Sequence, residues 1–337
     1  MIECRDPASL TKPDEKYLVV ATHSGRFHAD DVVCVSLVSL FSSKPIILVR
    51  TRDEEIFSKC HMILDVGRKD FYGQHQLRLD HHQSMEDYII NGQAQQGIYD
   101  KLYYKNGLKK ATCGKLADWM FLGISDSFLD FLRSKVLYSL EARDNGITIT
   151  PKISKDINNN IYPLGFIPAM NPSTRECKEY GETIASRACF IKAEEITKQI
   201  LSRLIEEYEN KLEEDKIVND MLDVMNSSKQ LYLINDKTPI LDLDTITFNW
   251  NKTKSNKLGI RSVMQRSIGE DNLWVVKPIP KKDGGYYKNI PSNWKGKDKE
   301  QLKNITPYSS IEIISGSRVI FSDKEEAIKF TKYLAEK

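Results

Sequence analysis

Histidine and aspartate residues in the first half of this 337-residue chain have the types and the spacing of a metal centre. All six histidines lie within the first 82 residues. Four of them, with several aspartates, fall in the short segments THSGRFHADD (22–31), DVG (65–67), DHHQ (80–83) and DNG (144–146). Imidazole nitrogens and carboxylate oxygens together suit Mn2+, Mg2+ or Zn2+ and do not resemble a thiolate site. We therefore expect a divalent metal centre.

The number of candidate ligands favours two ions. The nitrogen donors are His23, His28, His81 and His82, and the oxygen donors are Asp30, Asp65 and Asp144. A single tetrahedral ion needs only four ligands. Two ions about 3.5–4 Å apart, bridged by a carboxylate and a water, would use the whole set. Such a pair activates water for in-line attack on phosphorus.

Taken singly, these segments also have purely structural interpretations. Asp31 could cap a helix, Asp65 could be a turn residue at a strand end, and 144–146 could be a helix stop followed by a turn. The occurrence of all four segments in this order is what favours the metal interpretation. Two histidines are expected outside the centre: His61 as a structural or exposed residue, and His75 in a polar loop near it.

Alternating strands and helices must position these groups. Apolar runs predict strands at 17–22, 46–49, 62–66 and 77–80. Helices are predicted at 32–41, just after 51–53, at 115–121 and at 128–142. This alternation is typical of an α/β domain with a doubly wound, mostly parallel sheet. In such sheets the ligand crevice lies outside the carboxyl ends of the strands, where the candidate ligands are expected.

The second half of the chain has a different pattern. Prolines between Pro151 and Pro172 predict a linker, and we expect a metal-binding domain over 1–165 and a second part over 166–337. The second part is predicted to begin with a helical segment, 182–225. Its predicted strands and final helix indicate a smaller α+β domain, with strands at 231–234, 260–264, 274–276, 311–314 and 318–321 and the helix at 324–335.

Composition excludes several classes of protein. Apolar residues make up 40% and charged residues 28% of the chain, as in globular proteins. The sequence contains no run of apolar residues long enough for a membrane span, and its polar start lacks the features of a secretory or transit peptide. Six cysteines without a C-x-x-C pair indicate reduced thiols in an intracellular protein, with the cytoplasm as the expected location. Because the net charge is only +2, nucleic-acid binding would need a local basic patch.

The order of THSGRFHADD, TRD (51–53), DVG, DHHQ and DNG resembles the melanocyte-proliferating-gene family, a branch of the DHH phosphoesterase superfamily. Weaker similarity at Asn171-Pro172 and IPSNWKG (290–296) extends the resemblance over most of the chain. The resemblance implies a metal-dependent phosphodiesterase with 3'-to-5' exonuclease activity on RNA. We favour Mn2+ for the two ions, with Mg2+ or Zn2+ as alternatives. The family is also linked to the nucleus and to mitochondria.

The resemblance also implies the metal ligands, which are His23, His28, Asp30, Asp65, His81 and Asp144. The first three would form one ligand group, and Asp65 would bridge the two ions. The last two would complete the set.

Two further residues receive roles by the same resemblance. His82 would contact the scissile phosphate or protonate the leaving oxygen, and Asp80 would orient an imidazole. Two departures from the family concern substrate contacts rather than the metal. Arg68 stands where the family usually has a glycine, and the region 313–322 lacks the family's Phe-Val-His and glycine-rich segments.

A basic segment late in the chain could hold a nucleic acid. Residues 277–303 contain eight lysines and three acids, with aromatic residues interleaved. Lysines follow a phosphate backbone and aromatic rings stack on bases, although a solvated lysine-rich loop would have the same composition. The candidate substrate contacts are Lys281, Lys282, Trp294 and Lys295, with Arg52 and Arg68 nearer the expected metal centre. Arg52 could equally form an ion pair with Asp53 or Glu55.

These observations predict a two-metal exonuclease on single-stranded RNA. A phosphatase or pyrophosphatase for a small substrate is one alternative. A regulatory protein that binds metal and RNA without turnover is another, although the complete ligand set argues against it. A homodimer is left open.

Overall fold

The computed structural model describes the chain over residues 2–10, 16–83, 89–90, 93–94, 100, 102–147, 164–228, 232–235, 260–267, 272–279, 281, 285–286 and 288–336. The chain divides into two compact units, Met1–Tyr208 and Glu209–Lys337. Residues 166–208, which the sequence analysis assigned to the second part, belong to the first unit.

The first unit is built on a mostly parallel sheet. Its strands are β1 (Ile2–Arg5), β2 (Leu18–Thr22), β3 (Ile46–Arg50), β4 (Met62–Leu64), β5 (Phe71–Tyr72) and β6 (Leu77–Leu79). They lie in the order β1-β3-β2-β4-β6-β5, and β5 is antiparallel to β6 while the other neighbours are parallel. The prediction of a mixed α/β fold with a mostly parallel sheet is confirmed. The sequence analysis missed the edge strands β1 and β5.

Continuous apolar strands bury this sheet on both faces. Successive residues of a strand point to opposite faces, so Val19 and Ala21 belong to one apolar cluster and Val20 belongs to another. Helix α1 (Ala29–Phe41) packs in the cluster of Val20, and α2 (Glu54–Phe57) packs in the other. A parallel sheet covered on both faces has strands of this composition.

Further helices complete the first unit. After a short hairpin of β7 (Ile89–Ile90) and β8 (Gln93–Ala94) come α3 (Thr112–Phe121), α4 (Asp126–Leu132) and α5 (Tyr138–Asp144). A π-helical turn, Arg133–Leu137, joins α4 to α5, so the helix predicted at 128–142 is interrupted. Helix α6 (Thr174–Tyr180) follows, and then the long helix α7 (Glu182–Ser228), which belongs to the first unit as far as Tyr208.

The second unit is an α+β structure close to the predicted one. Its strands are β9 (Tyr232–Asn235), β10 (Ser262–Arg266), β11 (Trp274–Pro278), β12 (Ile311–Ser315) and β13 (Arg318–Phe321), and its helices include α8 (Lys299–Ile305) and α9 (Lys324–Ala335). The strands lie in the order β12-β13-β11-β10-β9. Each predicted strand end lies within two residues of the observed one.

Within the described ranges, no helix combines the length and the apolar composition that crossing a bilayer requires.

Candidate metal centre

The parallel strands of the first unit bring the candidate ligands to one edge of the sheet. His23 follows β2, Asp65 follows β4 and His81 follows β6 within two residues. The carboxyl ends of parallel strands meet at the same edge, so these three side chains come together. Asp30 lies in the first turn of α1, and Asp144 is the last residue of α5.

Three overlapping groups of side chains in this cluster could hold metal ions, since the ligand atoms within each group lie within 4.8 Å of one another. The groups are His23, His28, Asp31 and Asp65; Asp65, His81 and His82; and Asp30, His81 and Asp144. The structure therefore brings together the six predicted ligands and adds Asp31 and His82. Two of these residues, Asp65 and His81, each belong to two groups.

The two consecutive aspartates of α1 serve different groups. The expectation that Asp31 is the N-cap residue is wrong, because the helix begins at Ala29 and its N-cap residue is His28; Asp31 instead contributes to the cap as the N3 residue of a capping box. One carboxylate oxygen of Asp31 accepts the amide hydrogen of His28 at 2.7 Å, and the other lies 2.9 Å from Nε2 of His23. Consecutive helical residues point about 100° apart, so Asp30 projects toward another part of the cluster.

Asp30 is held by the beginning of α3. Its two carboxylate oxygens accept the backbone N–H groups of Thr112 and Cys113 at 2.9 and 2.7 Å. These two N–H groups have no partner within the helix, so the beginning of α3 orients this buried side chain. The Thr112 hydroxyl also donates to Asp65 at 3.2 Å. The sequence analysis did not identify this role of α3.

Asp65 has an unusual backbone conformation. Its φ angle is +59°, in the left-handed region that few residues other than glycine, asparagine and aspartate adopt. Its N–H donates to the carbonyl of Leu79 at 2.9 Å, which fixes the end of β4 against β6. The carboxylate is thereby directed between the ligand groups on either side. Left-handed residues of this kind cluster at functional sites.

A hydrogen bond fixes the imidazole of His23 with Nε2 toward the acids. Nδ1 of His23 lies 3.1 Å from the carbonyl oxygen of Ser24, which can only accept, so Nδ1 carries the proton. In the neutral ring Nε2 then presents a lone pair to Asp31. The oxygen of Asp31 that it faces has no hydrogen-bond partner among the described residues. Two acceptors facing each other in this way indicate a place for a cation.

The imidazole of His81 repeats this arrangement. The side-chain amide of Asn145 donates to the carbonyls of Lys109 and Glu141, so its oxygen faces Nδ1 of His81 at 3.4 Å and accepts from it. Nε2 of His81 lies 3.2 Å from Asp144 and 3.3 Å from Asp65. The Asp144 oxygen that it faces is buried without a hydrogen-bond partner in the described part of the chain. The donor set therefore fits a divalent cation on this side too.

Burial and mutual repulsion make the carboxylates of the cluster difficult to ionise without a cation. Burial, with repulsion by Asp30, raises the pKa of Asp144 to about 7 and raises the pKa of Asp65 well above its usual value. Burial opposes the charged form of His23, but the carboxylate of Asp31 outweighs it and raises the pKa of His23 to about 9. In the absence of a metal ion, these groups therefore bind protons instead.

Asp80 and His82 form a hydrogen-bonded pair beside the cluster. Nδ1 of His82 lies 2.7 Å from one carboxylate oxygen of Asp80, and the N–H of Arg68 donates to the other oxygen at 2.7 Å. Burial opposes the ionisation of Asp80, but these hydrogen bonds outweigh it and lower its pKa to about 2. The His82 side chain is 50% exposed. Its ring is thus anchored through Nδ1 while the imidazole remains accessible.

A buried lysine that the sequence analysis missed supports the loop after β6. Nζ of Lys115, on α3, contacts a carboxylate oxygen of Asp70 at 2.8 Å, the backbone oxygen of Asp80 at 2.5 Å and Oε1 of Gln83 at 3.2 Å. The Asp70 carboxylate also accepts the N–H of Asp80 at 3.0 Å. This network fixes the segment that carries His81. A lysine in an apolar helical pattern gives no sequence signal for such a role.

The predicted substrate contacts have different surroundings. Arg52, Arg68 and Lys295 are exposed, Lys281 is half-buried, and Lys282 lies outside the described residues. Trp294 is only 6% exposed and packs against Phe330 and Tyr308 in the core of the second unit, so its ring face is covered. Asp53, offered as an ion-pair partner of Arg52, caps α2 instead by accepting the N–H of Glu55.

The backbone conformation of Arg68 explains why the family that the sequence resembles usually has a glycine at this position. Its φ angle is +49°, again in the left-handed region that favours glycine. The backbone N–H of Arg68 nevertheless reaches Asp80. The conformation and the N–H of the backbone are thus what this position contributes to the site. The side chain of Arg68 places an exposed guanidinium there.

Comparisons with known proteins agree with this chemistry. The MYG1 exonuclease family model, described as "Uncharacterised protein family (UPF0160)", matches residues 19–332. A MYG1 protein of Schizosaccharomyces pombe is 27% identical over 306 residues, which make up 85% of this chain and 87% of that protein. A MYG1 protein of Dictyostelium discoideum is 30% identical over 144 residues, 40% of each chain. The MYG1 exonuclease of Mus musculus is 29% identical over 136 residues, 38% of this chain and 35% of that protein. Because the family model spans most of its length, the chain belongs to the MYG1 exonuclease family.

Proposed function

We propose that this protein is a metal-dependent phosphodiesterase that removes nucleotides from the 3' end of single-stranded RNA with the help of two divalent cations, Mn2+ being favoured. The observation that carries the proposal is that Asp65 belongs to two of the three overlapping ligand groups. On one side lie His23, His28 and Asp31, and on the other lie His81 and its partners. A carboxylate shared between two ligand sets is the arrangement that a pair of cations requires.

The residues of the chain have distinct tasks in this proposal. The first ion would be held by His23 and His28, with Asp31 beside them, and the second by Asp30, His81 and Asp144. Asp65 would bridge the two. When bound, divalent cations supply the Lewis acidity that lowers the pKa of an attacking water and neutralises charge on the phosphate.

His82 is placed to manage the proton of the leaving oxygen. Asp80 accepts from Nδ1 of His82, which leaves Nε2 for the substrate side of the half-exposed ring. The hydrogen bond to Asp80 holds the ring in place, so Nε2 of His82 would exchange a proton with the leaving oxygen. The exposed guanidinium groups of Arg52 and Arg68 would contact phosphates of the RNA.

Hydrolysis of labelled RNA by Asp65→Asn tests this proposal. We expect the variant to lose Mn2+-dependent release of nucleotides while its circular dichroism spectrum is unchanged. Asp53→Asn is the matched control, because Asp53 is an exposed cap of α2 that asparagine can replace. Parallel reactions with Mg2+ and Zn2+ identify the ion, and a 3'-phosphate block tests the polarity. Full activity of Asp65→Asn would refute the two-metal mechanism.

The covered ring of Trp294 favours keeping a small phosphoester as a second candidate substrate, since this ring cannot stack on a base in the described structure. A dinucleotide and a long single-stranded RNA should then be compared at equal concentrations. A preference for the dinucleotide, unaffected by Lys281→Ala and Lys295→Ala, would favour a small-substrate phosphatase. A preference for long RNA that these variants weaken would favour the exonuclease.

A further inference from the structure

A cavity lies at the opposite edge of the first sheet from the candidate metal centre. Its volume is about 860 Å³. Its wall includes Leu18, Met62 and Leu77, which are the first residues of three neighbouring strands. The candidate metal ligands follow the other ends of these same strands. The cavity is therefore separate from the metal centre and belongs to the same compact unit.

The lining of this cavity combines an apolar floor with a basic and hydroxyl-bearing rim. The rim includes Lys44 together with His61 and His75, the two histidines that take no part in the metal centre. Among the described residues that line it, none is acidic, although aspartate and glutamate make up 47 of the 337 residues of the chain. Such a lining attracts a negatively charged ligand.

Aromatic side chains at this cavity suit a flat ring. Trp119, on α3, is 52% exposed, and Phe41, at the end of α1, is 44% exposed. Both line the cavity. Exposed indole faces are surfaces on which nucleobases stack, with little dependence on the identity of the base. The combination of an aromatic face and a basic rim therefore points to a ligand with a planar ring and an anionic group.

The wall of the cavity is already ordered by hydrogen bonds. Nδ1 of His61 accepts the N–H of Val19 at 3.0 Å, which places the ring proton on Nε2. The backbone carbonyl of His61 accepts the N–H of Leu77 at 2.8 Å. The hydroxyl of Ser42 accepts the N–H of Lys44 at 3.1 Å and donates to its carbonyl at 2.9 Å. A wall fixed before binding loses little conformational freedom when a ligand enters.

We propose that this cavity binds a nucleoside monophosphate, with its base against Trp119 and its phosphate toward Lys44 and His75. The volume lies within the range of about 300–1,000 Å³ that is usual for small-molecule sites. The choice of ligand rests in part on the proposed function, because hydrolysis of RNA from one end releases nucleoside monophosphates. The site itself rests on the cavity lining alone.

Isothermal titration calorimetry of the full chain with 5'-AMP tests this site. The titrations contain EDTA, so that cations at the metal centre do not bind the phosphate. We expect saturable binding that is weakened about tenfold or more by Lys44→Met and by Trp119→Ala. Adenosine and inorganic phosphate, which each lack one half of the ligand, should bind at least about tenfold more weakly. Lys178→Met and Tyr180→Ala, on the exposed surface of α6, are matched controls and should bind like the wild type.

Two outcomes would overturn the site. One is the absence of saturable AMP binding to the wild type at millimolar concentrations. The other is wild-type affinity in Lys44→Met and Trp119→Ala together with loss of binding in Asp65→Asn, which would locate AMP at the metal centre. Failure of this site and failure of the proposed function are separable, since Mn2+-dependent RNA hydrolysis is measured independently. Hydrolysis without AMP binding would refute only the proposed AMP site, whereas AMP binding without hydrolysis would refute only the proposed nuclease activity.

Discussion

Replacing Asp144 by asparagine is expected to stabilise the metal-free protein at alkaline pH. Burial and repulsion by Asp30 raise the pKa of Asp144 from 3.8 to about 7. Between these values the folded chain holds a proton that the unfolded chain has released, so the free energy of unfolding falls as the pH rises through this window. The whole loss is about 4 kcal/mol and is complete above pH 7. An asparagine side chain carries no charge and avoids this loss.

Urea unfolding in EDTA at pH 5 and pH 8 measures this effect. At pH 8 we expect Asp144→Asn to exceed the wild type by up to about 4 kcal/mol, with a smaller difference at pH 5. His23, whose pKa is raised to about 9, lowers stability above pH 6.5 in both proteins. Its contribution therefore largely cancels in the comparison. Asp130→Asn, on the exposed surface of α4, is the control and should show the wild-type pH dependence.

Adding Mn2+ should reverse the order of stability. The wild type gains the free energy of metal binding, whereas Asp144→Asn has lost a ligand of the proposed second ion and gains less. A metal-free wild type as stable as Asp144→Asn at pH 8 would refute the argument. So would a metal-free wild type that gains stability between pH 5 and pH 8.

Four further substitutions test individual contacts within the two units. Asn145→Ala removes the oxygen that accepts from Nδ1 of His81 and should weaken Mn2+ binding about 10–100-fold in calorimetry; unchanged affinity would contradict this role. Lys115→Met should lower the free energy of unfolding by about 3–5 kcal/mol in urea titrations, and adding Asp70→Asn should recover part of the loss; strictly additive effects would exclude the pairing. Trp294→Ala should destabilise the second unit by about 3–5 kcal/mol, and an effect near zero would mean that its ring is not in the core. Arg68→Gly should raise the free energy of unfolding by up to about 1 kcal/mol, because glycine relieves the left-handed strain; an equal gain in Arg68→Ala would disprove this cause.

The sequence predicted the central strands because burial on both faces leaves a plain apolar pattern. In β2 and β3, nearly every residue is buried, and both strands were found within one residue of their ends. The edge strand β1 has no such run, since its residues are mostly half-buried, and its pairing with β3 depends on backbone hydrogen bonds. The short antiparallel β5 is exposed and escapes detection for the same reason.

The sequence predicted the residue types of the candidate metal cluster, but not how they are grouped. The sequence shows Asp30 and Asp31 as neighbours, and only the start of α1 at Ala29 determines which way each one points. The structure places Asp31 beside His23 and Asp30 beside His81. Such a division depends on the helical phase, which an error of three residues at a helix start changes by most of a turn.

Supporting contacts were hidden because they join distant parts of the chain. Lys115 meets Asp70 across 45 residues, and the backbone of Phe27 exchanges two hydrogen bonds with the side chain of Asn171 across 144 residues. Neither pairing leaves a periodic pattern in the sequence. The contact of Asn171 does account for the Asn-Pro segment that resembles the family, because it fixes the loop that carries His28.

The burial and mutual repulsion of the carboxyl groups, which oppose their ionisation when no cation is present, also favour the binding of a cation. Two backbone N–H groups at the beginning of α3 hold the Asp30 carboxyl, while burial raises the pKa of both Asp65 and Asp144. A cation that enters must displace protons from those two carboxyls, so metal affinity should rise with pH through neutrality. Hydrogen bonds to Ser24 and Asn145, which do not depend on a bound ion, fix the imidazoles of His23 and His81. The centre is therefore ordered before metal arrives, and the free energy lost in burying its acids is recovered when a cation binds.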